Sequence, residues 1–423
     1  MTSDLRNFRA LTRVFDPIYR PVDKENGGPD PSYVPEAHED FRKYLEASLA
    51  LNDNAKLLLA GQPGCGKTTL LLSVADRLRS EGRIVAFVDL EVQTAVQDLG
   101  SAEMHLAATA ELLREAELRR VSFSKETLAA CGGWLRPISG EDRPPASRPG
   151  ALANEMTRFL NGARESASLR QELRRLVQEG GDKDPLELMK RVLRELSDKR
   201  PVVILDGLDK LPPAQARDFF LNEKKKPMTE APCAAMLTIP LSIIYEPTFN
   251  VLSERYNNAD SAVLPAIRLY EFDGDQRGGK RSARGFEVLH RIVAARVNPI
   301  DPSIVMPAAV DKAIEGSGGN IRELARLLQA SIVKASVRGG TCIEPLDVEA
   351  AIADQRESYR RAFQPRFLPV LKKVRDEAQL DNSDDVGKLL LYGLWVVEYR
   401  NGSIWYRLPM PIEQLLQKLE MGK

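Results

Sequence analysis

The run Gly61-Gln62-Pro63-Gly64-Cys65-Gly66-Lys67-Thr68 sets small residues, a lysine and a hydroxyl at the spacing GxxxxGK[ST]. Small residues let a backbone curl until successive N–H groups point inward, which cradles an anion with several oxygens. A helix that starts where the curl ends adds its unpaired N-terminal amides and the positive end of its dipole. Lys67 then supplies a cation for the outer phosphates, Thr68 offers a hydroxyl to Mg²⁺, and Thr69 follows in the same helical turn. The chemistry implied is the holding of ATP with Mg²⁺. A glycine turn before an ordinary helix is the competing reading. The position between an apolar strand and an amphipathic helix argues for the cradle.

A second run, Val202-Val203-Ile204-Leu205-Asp206-Gly207-Leu208-Asp209, is an apolar strand that ends in a carboxylate. In a parallel sheet such a strand delivers its last side chain to the carboxyl edge, where ligands bind. Asp206 is expected to hold Mg²⁺ through water, because Mg²⁺ keeps much of its hydration shell. Asp209 is the candidate to orient an attacking water. A turn cap (Asp206) and a structural acid (Asp209) are the alternatives.

The elements around these runs follow from periodicity. Residues 1–32 are rich in Pro, Gly and Asp and read as an extended arm, followed by a helix over 35–51. Short apolar strands are expected at 56–60, 83–90, 201–205, 234–240 with 242–245, and 262–270, with a helix over 68–80. This order opens a doubly wound α/β fold on a parallel sheet. The stretch from about 92 to 200 reads as a helical insertion, with apolar periodicity over 104–118, 152–178 and 186–196 and a flexible break at 140–150. It either packs on the sheet edge or offers a partner surface. Residues 285–363 read as helical. In the last segment, 364–423, the aromatic-rich runs 395–399 and 404–408 flank Arg400-Asn401-Gly402-Ser403, a hairpin signal.

Composition narrows the classes. Lys+Arg and Asp+Glu both number 60 among 423 residues, so nothing global favours nucleic acid or membrane. The four cysteines and three histidines are scattered, which fits a reduced cytoplasmic compartment and no metal cluster. The N-terminus lacks an apolar signal core, and no apolar run approaches the ~20 residues that span a bilayer.

Taken together, GQPGCGKTTL and VVILDGLDKL resemble the STAND and AAA+-like ATPases. Gly207 departs from the acidic pair of typical AAA+ enzymes, and the resemblance then leans to the STAND-like or origin-recognition-like branches. It implies an ATPase core over 33–284, a helical lid over 285–363 and a winged-helix domain over 364–423. It also implies site roles. Thr238, ending a strand, stands at sensor 1, and Arg322 in Ser317-Gly318-Gly319-Asn320-Ile321-Arg322 stands at sensor 2. Arginine suits the latter because its fork grips phosphate oxygens in pairs. A solvent-facing helix residue is the alternative for Arg322. Arg255 is the candidate arginine finger, and Tyr33-Val34 resembles the segment that packs on adenine.

The last domain is ambiguous about DNA. Its helix before the hairpin begins Asn382-Ser383-Asp384-Asp385 and carries Lys388 as its only cation, while Arg400, Arg407, Lys372, Lys373 and Arg375 lie elsewhere. The leading expectation is an ATP-driven switch that couples nucleotide state to self-assembly or a partner protein. The alternative is a DNA-binding AAA+ ATPase of the replication-initiator or transposition-regulator type. A small-molecule kinase could use the same loop, but the second motif and the C-terminal tail argue against it.

Overall fold

The computed structural model describes residues 3–19, 30, 32–139, 148–178, 184–222, 227–258, 262–272, 279–381 and 385–421. The chain forms two compact units, one of residues 42–60 and 71–263, the other of residues 1–41, 61–70 and 264–423. The flexible break expected at 140–150 falls largely outside the described residues.

The first unit carries a five-stranded sheet in the order β2-β3-β4-β1-β5: β1 (Lys56–Gly61), β2 (Val85–Asp89), β3 (Val202–Asp206), β4 (Ala234–Thr238) and β5 (Val263–Leu264). The ladders β1–β4, β2–β3 and β3–β4 are parallel. Every residue of β1, β3 and β4 is buried, as near-continuous apolar strands covered on both faces must be. The fold class is therefore the expected one, an α/β parallel sheet of the P-loop kind. The strand expected over 262–270 shrinks to Val263–Leu264. The run expected to extend the fourth strand is instead a short helix, Leu241–Ile244, and Pro240 before it has no N–H with which to continue the ladder.

The insertion between β2 and β3 is helical, as expected. Helix Ser101–Leu118 lies on edge strand β2 and is itself covered by helices Pro149–Glu165 and Pro185–Glu195. This favours the sheet-edge reading of the insertion. The periodic stretch 152–178 is two helices, broken at Ser166, whose backbone is extended. A helix at Lys125–Ser139 was not foreseen.

The second unit is mostly helical. Four helices, Ala283–Val297, Pro307–Ser317, Ile321–Arg338 and Pro345–Ala362, share one apolar core. Helices Phe367–Glu377 and Asp385–Tyr392 follow, then the antiparallel hairpin β6 (Val397–Asn401) and β7 (Ser403–Arg407), and helix Met410–Met421. Gly402 takes the tip at φ +89°, a left-handed angle that suits glycine. Residues 382–384, the acidic start expected for the middle helix, lie outside the described residues.

The N-terminal stretch corrects an expectation. It is not wholly extended: Ser3–Val14 is a helix. Phe8, Leu11 and Phe15 repeat at helical spacing and are buried in the core of the four helices. The Pro- and Gly-rich residues that suggested an arm begin only after this helix.

Candidate functional site

The phosphate-loop residues belong to the helical unit, in the stretch Gly61–Leu70. β1 ends at Gly61 and helix Lys67–Ser80 opens directly at the lysine. Gly61, Gly64 and Gly66 have φ of +153°, +84° and +101°, which L-residues rarely adopt. The curl thus depends on glycine where the motif places it. Lys67 is buried, and its Nζ donates to the carbonyls of Gly61 and Gln62 at 2.9 and 3.2 Å. The ammonium lies folded into the loop's own curl, against carbonyls that polyphosphate oxygens would outbid as charged acceptors. Glycine curl, helix start and inturned lysine fit a polyphosphate.

The start of helix Ile321–Arg338 grips this loop. Asn320 is fully buried and caps helix Ile321–Arg338, its Oδ1 accepting from the N–H of Arg322 and Glu323 at 3.1 Å each. Its Nδ2 donates to the Pro63 carbonyl at 2.9 Å, and the Arg322 N–H also reaches the Gly64 carbonyl at 3.2 Å. The stem of Arg322 covers Gly64: a Cβ at Gly64 would fall 2.4 Å from the Arg322 Cβ. Arg322 and the loop are therefore neighbours, and its half-buried side chain is not merely solvent-facing.

Upstream, Val34 is buried in the core of the four helices and Tyr33 is half-buried. Four residues on, the His38 Nε2 lies 2.6 Å from the Cys65 carbonyl, so that nitrogen carries the proton and donates. Burial holds the imidazole down to about 4, against the smaller opposing pull of that hydrogen bond. In the sequence His38 stands apart from the other two histidines and so carries no cluster signal. Its place three residues after Pro35, in the segment expected near the nucleotide, was the available signal.

In the sheet unit, Asp206 ends β3 and is buried, its Oδ1 accepting from the Gly207 N–H at 3.0 Å. Gly207 stands at φ +99°, and a Cβ there would meet Glu91 atoms at 3.3 Å. The missing acidic pair thus has a backbone cause. Asp209 is half-buried in the single turn Leu208–Lys210. Thr238 ends β4, is fully buried, and its Oγ1 accepts from the Leu208 N–H at 3.0 Å. Thr238 therefore fixes the turn that carries Asp209. Asp89, the last residue of β2, is the register partner of Asp206 and was not singled out, although its apolar strand ends in the same way. The candidate finger Arg255 donates Nη1 to the carbonyls of Phe220 and Asn222 at 3.2 and 3.3 Å. There it caps the C-terminal end of helix Pro213–Phe220, where a cation is favoured. Among the described residues no group of three His, Cys, Asp or Glu could hold a metal alone.

Residues 57–126 match the model of the "ATPase family associated with various cellular activities (AAA)". No curated protein matches the chain. Among solved structures, Cdc6p from Pyrobaculum aerophilum is similar at 12% identity, with 97% of this chain and 98% of that chain covered and a TM-score of 0.43. The ORC2 protein of Aeropyrum pernix, in ADPNP–ADP complexes, is 14% identical over 97% and 98%, with a TM-score of 0.42. The ORC1 protein of Aeropyrum pernix in complex with DNA is 14% identical over 96% of each chain, with a TM-score of 0.37.

Proposed function

We propose that this chain binds ATP with Mg²⁺, hydrolyses it, and couples its nucleotide state to the work of its C-terminal segment. The observation that carries the reading is the glycine curl with Lys67 folded into it and Asn320 and Arg322 closed over it. Lys67 and the loop amides hold the outer phosphates, and Thr68 and Thr69 open the helix beneath them. Thr68 and Asp206 are the Mg²⁺ donors, and the hydroxyl and carboxylate suit that hard cation. Bound ATP supplies the scissile phosphoryl group. Arg322 reads the outermost phosphate from the lid, Tyr33 and Val34 line the base, and Asp209 orients water on a turn that Thr238 holds. Arg255 acts as a helix cap rather than a finger. The arrangement supports the AAA+, origin-recognition-like reading. Gly207 fits the STAND-like and the origin-recognition-like branches alike and does not choose between them.

For the target we put DNA first. The hairpin tip presents an exposed Arg400 beside the turn Asn401-Gly402-Ser403, and helix–helix–hairpin–helix is the element order of a winged helix. Such a tip suits backbone contact. A protein target or a second copy is the other reading, favoured by helix Asp385–Tyr392, whose exposed residues include Leu389 at 44% and Tyr392 at 56%. The cation of that helix, Lys388, is half-buried and lies 3.8 Å from the Asp385 carboxylate, so major-groove reading by this helix is disfavoured. Lys372 and Arg375 are paired with Glu420.

Fluorescent-ATP titration of Lys67→Ala tests the base of the reading. Affinity should fall by about a hundredfold, ~2.7 kcal/mol, with loss of hydrolysis. Unchanged binding sinks the proposal. DNA titrations across a salt series separate the targets. Arg400→Ala should lower the salt slope by about 1. Absent DNA binding together with ATP-dependent self-assembly would move the protein reading to first place.

A further inference from the structure

Gln62 is a loop position of the variable kind in GxxxxGK[ST], and its side chain turns away from the curl. It is 3% exposed. Its Nε2 donates to the Leu391 carbonyl at 2.8 Å and to the Val396 carbonyl at 2.7 Å. Its Oε1 accepts from the Glu398 N–H at 3.1 Å. A single amide thus satisfies two carbonyls and one N–H at the junction of helix Asp385–Tyr392 and β6. All of these are backbone groups, so they report backbone position rather than side-chain identity. They are buried, and leaving them unpaired is costly. On the other side, the Gln62 carbonyl is one of the two acceptors of Lys67 Nζ.

We propose that Gln62 is a positioning residue that transmits the state of the phosphate loop to the C-terminal domain. The relay runs from Lys67 Nζ to the Gln62 carbonyl, then through the Gln62 amide to residues 391–398. When Lys67 leaves the Gln62 carbonyl for a phosphate, that carbonyl is left with the long 3.3 Å bond from the Cys65 N–H, and the Gln62 peptide can shift. Its side chain, fixed at three points, carries that shift into the start of the hairpin. The coupling is reciprocal, as any linkage must be: movement of the hairpin alters the loop. The inference rests on the ATP-binding reading above.

The test is hydrogen exchange of the full chain, with ADP and with a non-hydrolysable ATP analogue at saturation. In the wild type, amides within 391–399 should exchange at rates that differ at least about threefold between the two nucleotides. In Gln62→Leu the difference should vanish, because the leucine fills the site but makes none of the three bonds. Tyr399→Phe is the control. It removes a 2.7 Å bond from Tyr399 Oη to the Gly318 carbonyl, which ties hairpin to lid without the loop, and it should keep the difference. Gln62→Met, which fills the site without a charge and without an N–H donor, should also abolish it, and thermal melts of both variants guard against one that does not fold. A difference that persists in Gln62→Leu, or is lost equally in Tyr399→Phe, overturns the inference. So does a wild type that binds both nucleotides without any difference, or a Gln62→Leu protein that no longer binds them. A wild type that binds no nucleotide fails the ATP reading instead, and the two failures are distinguishable.

Discussion

A single backbone angle at Gly207 decides what chemistry its neighbour can share. Glycine follows Asp206 where an acid is usual, and its type alone does not say why. The answer is φ +99°, with Glu91 and Leu90 atoms within 3.5 Å of where a Cβ would stand. Restoring the acidic pair with Gly207→Glu should therefore not raise ATPase activity. It should cost about 1–2 kcal/mol from the left-handed backbone alone, read as a lower denaturation midpoint. A stable variant with faster hydrolysis would show that the strain was misjudged. Other residues were legible by type but not by partner. Lys67 has the type and place of a phosphate ligand, and its Nζ donates to the carbonyls of Gly61 and Gln62. Thr238 was read as a sensor, and its hydroxyl braces the Leu208 N–H.

Helix Ile321–Arg338 concentrates the argument at the scale of elements. Gly-Gly-Asn announced its start, and Asn320 does cap it. What sequence could not announce is that the same side chain holds Pro63, 257 positions earlier. Asn320→Ala removes two cap bonds and one loop bond from a fully buried site. It should destabilise the protein by about 1–3 kcal/mol and weaken ATP binding in fluorescent-ATP titration. An unchanged ATP affinity would separate the cap from the loop. Strands β1 to β4 were legible because buried parallel strands are continuous apolar runs bounded by turns. The helix Ser3–Val14 was not, since prolines and glycines farther along coloured the whole N-terminal stretch. The join at Ser166 escaped because the apolar spacing continues across it.

At the scale of the molecule, acid should act on both units through the imidazoles of half-buried His38 and buried His105. Burial holds His38 in the helical unit to about 4, and holds His105 in the sheet unit to about 4 with a smaller push from Lys190. A lowered folded-state value means the unfolded chain binds these protons first. The stability they permit is complete above about 6.5, the unfolded value, and is lost as pH falls toward about 4. Thermal midpoints measured from pH 7 to pH 4 should drop, and the His38→Gln, His105→Gln double variant should drop less. An equal slope would place the acid sensitivity elsewhere. The helical unit also has a history built into its sequence order, because it gathers residues 1–41, 61–70 and 264–423. A ribosome releases the phosphate loop early and its clasp, Asn320 with Arg322, some 250 residues later. The sheet unit, complete by residue 263, can fold while the loop waits. On the ATP reading, a nascent chain cannot close its clasp on nucleotide until residue 322 has been made, so synthesis itself sets the moment at which the switch is armed.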